Sequence, residues 1–476
     1  MRSLARRDQW LVVLVAIGLI LRGYHNLRCP PVWHDEAAIV VNVLGLSFEE
    51  MFGPLIHAEA APPLFLVAER LIVLVFGDGV LALRLLPILA AFGSLLLFAG
   101  TARRVLSPVA AVLAVGLFAV SDRLLWHSCE AKSYSLDVFW AAAASYWFVL
   151  TDGWSLWRRC LPAALVAPLA IWTSFPACFV AGGLLVGWFP AAVRSRSSGR
   201  AAFLSVAASV GVSFVVLAMG PVAAQRCGTM EACWERQFAD WSRPWVVPVW
   251  AFMSTFEVAR YCLLPVGQPM LIFAAIGAVV VRRTRTNGQS VVATLLIPIG
   301  LALLAALLHK YPYGGARVVV FAAPAVCLLG AAGVSVALPA VARRSRVAAA
   351  VLLGVVLFPG ALAGWVLIDP WDRPAADAGA GYVLSHRAAG EPVLVNHWEY
   401  EYYMRTIPGE WRLWFGSFDS AELETSGRIW VVHTGQVDGS ALPFVLPPGW
   451  VVTESRRYPQ VAVFALARVP TGIAAR

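Results

Sequence analysis

Charge is scarce in this chain: 14% of its 476 residues are charged and 59% are hydrophobic, where a soluble domain carries about 25% charged. Lysine is nearly missing, with Lys132 and Lys310 set against 35 arginines. The eight cysteines show no Cys-x-x-Cys and no Cys/His ligand spacing, so no zinc or redox motif is written here. With a mean hydropathy of +0.72, these shortages exclude a disordered chain, a disulfide-stapled miniprotein and an ordinary cytosolic enzyme. What is left is a polytopic membrane protein with the lipid bilayer as a partner. The net charge of +9 calls for no nucleic acid, because the arginines sit in short clusters between apolar runs, where they report topology.

The clusters are Arg103/Arg104, Arg158/Arg159, Arg194/Arg196/Arg200, Arg282/Arg283/Arg285 and Arg343/Arg344/Arg346. If all are cytoplasmic, an even number of helices separates each consecutive pair. Apolar runs near 9–27, 80–101, 107–124, 134–151, 161–174, 176–191, 201–220, 267–281, 290–308, 317–338 and 347–367 then give about eleven spans. The N-terminus falls inside and the C-terminus outside. Arg2, Arg6 and Arg7 precede an apolar run with no small-x-small cleavage site, which reads as an uncleaved first helix to about Leu27. Thr173-Ser174-Phe175-Pro176 breaks the long run 161–191 into two helices. Only Asp8 and Asp152 fall on the cytoplasmic side of this map. The topology rule counts only Lys and Arg, so the acid bias needs another cause, and carboxylates at an external active site supply one.

Residues 1–368 form the membrane domain, with external loops at 28–79 and 221–266. Asp369-Pro370-Trp371-Asp372-Arg373-Pro374 marks the boundary to a soluble tail, 369–476. Runs at Pro392–Val395, Arg428–Val432, Trp450–Thr453 and Val461–Ala465 read as strands, and 375–389 and 398–405 as helices. The tail is therefore a small α/β module. It carries no glycine-rich phosphate loop and no triad spacing, and its task is not legible.

Three loops carry the polar chemistry. The first has Trp33-His34-Asp35-Glu36 and then Ala61-Pro62-Pro63-Leu64. Asp35 suits an N-cap and Glu36 a first helical turn; Pro62-Pro63 suits the start of an amphipathic helix to Phe76. The second runs from Trp126 to Asp137. A helix beginning near Glu130 puts Glu130, Tyr134 and Asp137 on one face, while the plain alternative is a solvated Glu130-Lys132 loop. Asp137 should face the bundle or the interface, since a lipid-facing acid is costly. The third reads His309-Lys310-Tyr311-Pro312-Tyr313-Gly314-Gly315-Ala316-Arg317. A cation at a helix start opposes the dipole, so Arg317 either snorkels to the interface or holds an anion such as a lipid phosphate. In the 221–266 loop the tryptophans suit an interfacial belt, and Cys227 and Cys233 suit a local disulfide in an oxidising compartment.

Taken together, Asp35-Glu36, Ala61-Pro62-Pro63-Leu64, Leu83-Arg84-Leu85-Leu86-Pro87, Glu130-Ala131-Lys132-Ser133-Tyr134 and Tyr313-Gly314-Gly315-Ala316-Arg317 resemble the GT-C superfamily. The similarity is to the glycosyltransferase family 39-like enzymes: protein O-mannosyltransferases, the aminoarabinose transferase of lipid A and the rhizobial lipopolysaccharide galacturonosyltransferases. It spans roughly residues 10 to 340. Many relatives place His or Lys before the Pro-Pro pair where this chain has Ala61, with His57 and Glu59 upstream.

The resemblance implies an all-α polytopic GT-C-like fold with the α/β tail appended. It also implies inverting transfer of a sugar from a polyprenyl-phosphate donor to an acceptor lipid, glycan or protein of the cell envelope. The setting would be the external face of a bacterial inner membrane. By the same resemblance Asp35 and Glu36 are the catalytic pair: Asp35 the base for the acceptor hydroxyl, Glu36 the group that orients it or stabilises charge on the sugar. Lys132 and Arg317 bind the donor phosphate, and Glu130, Tyr134, His309 and Tyr311 line the substrate site. No metal is assigned; a divalent ion is left open, without a ligand motif. The competing reading is a lipid-linked glycan flippase, for which inverted repeats and mid-span charges are expected; these spans are nearly free of charge. A scaffold acting through the tail would have no need of Asp35.

Overall fold

A computed structural model describes residues 6–416, 418, 426–435 and 442–469. The chain divides into two compact units: residues up to Arg28 with Ser47–Asp369, and Cys29–Leu46 with the residues from Pro370 on. Residues 29–46, read from sequence as part of the first loop of the membrane domain, thus pack with the tail.

The first unit is helical, and each of the eleven apolar runs lies in helix. Among the described residues, seven helices are long and apolar enough to cross a membrane, or nine if two bent pairs are each one span. The expected eleven exceed that count by two helices. The helices that fall short are Tyr134–Leu150, 17 residues long and so about 26 Å, and Leu156–Thr173, which carries Arg158 and Arg159 in its first turn. Arginine pairs close the helices Leu85–Val105, Gly267–Thr284 and Ala323–Arg344, where their charge favours the negative end of the dipole. Prolines start Pro63–Phe76 and Pro108–Ala119 at a position whose N–H needs no partner. The break at Ser174–Pro176 separates Leu156–Thr173 from Ala177–Arg194 as expected.

The core centres on Ala323–Arg344, whose apolar stretch is 89% buried. It approaches Gly267–Thr284 at backbone distance: a Cβ on Gly277 would lie 1.8 Å from the Leu329 carbonyl oxygen, and one on Gly333 1.9 Å from that of Phe273. Only glycine fits there.

The loop expected over 221–266 contains a 16-residue helix, Val247–Cys262, which the dense tryptophans masked as an aromatic belt. It turns by 102° into Gly267–Thr284, and Gly267 permits the corner, since a Cβ would sit 1.8 Å from the Ala259 carbonyl oxygen. A second break of 49° separates Pro108–Ala119 from Asp122–Ser128. The two breaks meet: Ser121 Oγ donates to the Cys262 carbonyl at 3.0 Å. Arg22 covers the carbonyls freed at the first break, donating to Phe118 and Ala119 at 3.2 and 3.0 Å and to Gly18 at 3.0 Å. Cys227 and Cys233 are free. The helix Gly228–Cys233 sets them about 9 Å apart by its rise, beyond disulfide reach.

The second unit holds a five-stranded sheet of β1 Val393–Val395, β2 Trp411–Leu413, β3 Arg428–Thr434, β4 Trp450–Tyr458 and β5 Val461–Arg468. The strand order is β2-β1-β3-β5-β4, with β1 parallel to β2 and β3, and β5 antiparallel to β3 and β4. Four strands and the helices Ala376–His386 and Glu399–Tyr403 stand where the sequence puts them. β2 is new; three residues, Trp-Arg-Leu, offer no periodicity to read. The two sheet faces bury separate clusters, one on Val393, Val395, Trp430 and Val432 and one on Leu394, Ile429, Val431 and Phe464. The alternation along β3 places its side chains in both.

Candidate active site

In the second unit the helix His34–Gly45 opens after Trp33, which has extended backbone and offers no side-chain cap. Asp35 is therefore not the N-cap. Asp35 and Glu36 are the second and third helical residues, 5% and 0% exposed, where the amide dipoles favour negative charge. Arg373, 2% exposed, donates from Nη1 to Glu36 Oε2 at 3.2 Å and to the Pro31 carbonyl at 3.2 Å. The approach segment is tied down beside them. The Val32 N–H donates to Tyr403 Oη at 2.7 Å, Trp398 Nε1 donates to the His34 carbonyl at 2.7 Å, and the His34 and His397 rings lie 5.0 Å apart. Glu399, in the same corner, is fully buried. Burial pushes its carboxyl up to about 7, against the opposing hydrogen bond from Thr434 Oγ1.

In the first unit the second loop is buried, not solvated. Asp122–Ser128 is a short helix, and the next begins at Tyr134, so Glu130 lies in the turn between them and not on a helix face with Tyr134. Glu130 accepts from His127 Nδ1 at 2.7 Å and from Trp126 Nε1 at 3.3 Å. On its other side His127 Nε2 lies 2.9 Å from Tyr261 Oη. The His127 and Tyr134 rings stand 4.8 Å apart. Lys132 points elsewhere, donating from Nζ to Glu59 Oε2 at 2.6 Å. Asp137 faces the bundle and accepts from Ser174 Oγ at 2.7 Å.

The third loop is held by its own polar groups. His309 Nε2 lies 2.6 Å from the Ala239 carbonyl with its ring stacked on Phe238. Tyr311 Oη donates to the Val318 carbonyl at 2.7 Å. Arg317 opens a 3-10 turn, Arg317–Ala322, with its guanidinium 5.7 Å over the Trp234 ring. Tyr261 joins the two loops: Arg123 lies 5.5 Å over its ring, and Glu130 and Arg317 are both within electrostatic reach.

Each sequence-derived candidate is thus placed: Asp35 and Glu36 together in one unit, and Lys132, Glu130, Tyr134, His309, Tyr311 and Arg317 in the other. The sequence missed His127, Tyr261, Glu59 and Arg373. His127 sits three residues before Glu130, a spacing that could have flagged it; Glu59 was noted only for its place upstream of the Pro-Pro pair, and Tyr261 and Arg373 are far from their partners in sequence and carried no signal. Among the described residues no group of three or more His, Cys, Asp or Glu side chains is placed to hold a metal.

No family model matches the sequence, and no curated protein sequence matches it. Solved structures do. ArnT from Cupriavidus metallidurans in the apo state is 12% identical, covering 97% of this chain and 98% of that one at a TM-score of 0.54. The same protein bound to undecaprenyl phosphate is 13% identical, with 98% and 99% covered at 0.52. The Archaeoglobus fulgidus oligosaccharyltransferase in complex with Zn and sulfate is 13% identical and covers 84% of this chain at 0.52; the match spans 62% of the archaeal protein's length. This chain has a GT-C fold with a small C-terminal sheet domain, and it is an integral membrane protein.

Proposed function

Proceeding from that GT-C fold, we propose that the protein is a glycosyltransferase. It takes a sugar from a polyprenyl-phosphate donor and delivers it, with inversion, to an acceptor lipid, glycan or protein of the cell envelope. The work is done on the external face of a bacterial inner membrane, with the N-terminus cytoplasmic and the tail periplasmic. The observation that carries the reading is the buried acid pair Asp35-Glu36 at a helix start, in a chain whose whole length follows a protein solved with undecaprenyl phosphate.

Asp35 accepts the proton of the acceptor hydroxyl as that oxygen attacks the anomeric carbon. Glu36 orients the acceptor, or stabilises positive charge developing on the sugar. The bond from the anomeric carbon to the phosphate oxygen breaks, and polyprenyl phosphate leaves with the bonding pair. Lys132 and Arg317 take up the additional negative charge that develops on the phosphate as the bond breaks. Glu59 holds the Lys132 ammonium until the phosphate competes for it. Glu130 and Tyr134, with His309 and Tyr311, shape the site around the sugar.

The test is incubation of membranes containing the protein with a panel of labelled polyprenyl-phosphate sugars, following loss of label from the carrier. Cleavage that falls to background in D35N and weakens in K132A supports the reading. Cleavage of no carrier sugar across the panel, by chain that is inserted and folded, overturns it.

A further inference from the structure

The sequence leaves the tail without a task, and no motif in it carries chemistry. Its geometry is specific all the same. Arg373, five residues past the helix Arg346–Ile368, is buried with its guanidinium on the buried carboxylate of Glu36. An arginine and a glutamate that have both left water offset each other's desolvation, so removal of either is costly. The same guanidinium fixes the Pro31 carbonyl. Tyr403 and Trp398 fix Val32 and His34 from the second side. Three residues that follow the membrane helices, Arg373, Trp398 and Tyr403, thus have hydrogen bonds converging on residues 31–36, the acid pair and its approach.

We propose that Arg373 is a positioning residue: it sets the rotamer of Glu36 and the first turn of the His34–Gly45 helix, so that the C-terminal module is the platform of the acid pair. This deepens the transferase reading and rests on it for its effect on turnover. Its structural half stands alone. A guanidinium is suited to the task because the two N–H bonds of its Nη1 are fixed in one plane, here donating to a carboxylate and a carbonyl. Misplacement of a reacting group by about 1 Å costs about 10²-fold in rate, so a platform that frays is read out in turnover before it is read out in folding.

The experiment uses the full chain in membranes, with R373M, R373K, E36Q and the double variant R373M/E36Q, and two readouts. Hydrogen exchange at the amides of 35–40 reports the platform without reference to any substrate. R373M should speed it, and the double variant, which removes both charges, should bring it back toward the parent. Carrier-sugar cleavage reports the site. R373M should lower kcat about 10²-fold with donor KM unchanged, R373K should recover part of it, and R373M/E36Q should be no slower than E36Q.

Parental exchange in R373M overturns the proposal. So does a double variant far slower than E36Q, because Arg373 would then act other than through Glu36. A parent that cleaves no carrier sugar sinks the transferase reading and leaves the exchange comparison to decide the platform. If R373M fails to insert, R373K and the double variant carry the same comparisons.

Discussion

Asp35 sits one position inside its helix, and that position separates its chemistry from its structural role. Asparagine there keeps the shape and gives up a charge–dipole term of about 0.3–1 kcal/mol, while loss of a positioned base costs about 10²–10⁴ in rate. D35N should therefore fold as the parent does and lose turnover by that factor; parental turnover would show the acid to be structural only. Glu59 makes the opposite prediction. It neutralises Lys132 at 2.6 Å and competes with an incoming phosphate. E59Q removes the competing charge and should tighten donor binding by roughly tenfold, about 1.4 kcal/mol, as measured by donor titration. Weaker binding would mean that Glu59 is needed to aim the lysine. Glu399 gives a pH dependence. Its carboxyl is pushed from 4.5 to about 7 by burial, so the folded tail binds the proton more tightly than the unfolded chain does. Its contribution is fully present below about 4.5 and is lost as pH rises toward 7, by about 3 kcal/mol at most. E399Q should flatten that slope, followed by hydrogen exchange of the β3 and β5 amides between pH 5 and 8; an unchanged slope would place the titration elsewhere.

At the scale of elements, the helices were the easiest part to read, because a run of apolar residues bounded by arginines has one meaning in a bilayer. Four of the five strands were legible from β-branched runs bounded by turns. What failed were features set by partners distant in sequence. The helix Val247–Cys262 was hidden because tryptophans suit an interface as well as a helix. The Glu130 turn looked solvated because nothing local announces Tyr261, which bonds His127 from 134 residues away. The acid pair was found, yet its cation lies 337 residues away. Helix packing shows the same dependence on contact. G277A should disrupt the pairing of Gly267–Thr284 with Ala323–Arg344, at about 1–3 kcal/mol for overpacking. G300A, with nothing within 4 Å of the added methyl, should be neutral or slightly stabilising. Equal thermal stability of the two variants in detergent would contradict the close approach.

For the whole molecule, packing keeps the division at Asp369 that composition suggests and adds residues 29–46 to the unit beyond it. A tail without motifs invites truncation, and on sequence grounds a chain ending near Asp369 should keep carrier-sugar cleavage. The structure predicts the reverse. Such a chain retains Asp35 and Glu36 and loses Arg373, Trp398 and Tyr403 together, so it should insert normally and cleave at background. Activity near the parent's would show that the helix 34–45 holds its place without the tail.

Arg22 has a consequence in time. Two of its three carbonyl partners belong to residues 118 and 119, and a ribosome adding about 5–20 residues per second needs roughly 5–20 seconds to reach them after Arg22 is made. Through that interval the first helix meets the bilayer with a guanidinium bonded only to its own Gly18 turn. A charged side chain in an apolar helix is costly to insert, by up to about 2.5–3.5 kcal/mol at the helix centre and less toward its end, where Arg22 lies. The helix made first is therefore among the last to settle, waiting on the broken helix that follows it in synthesis.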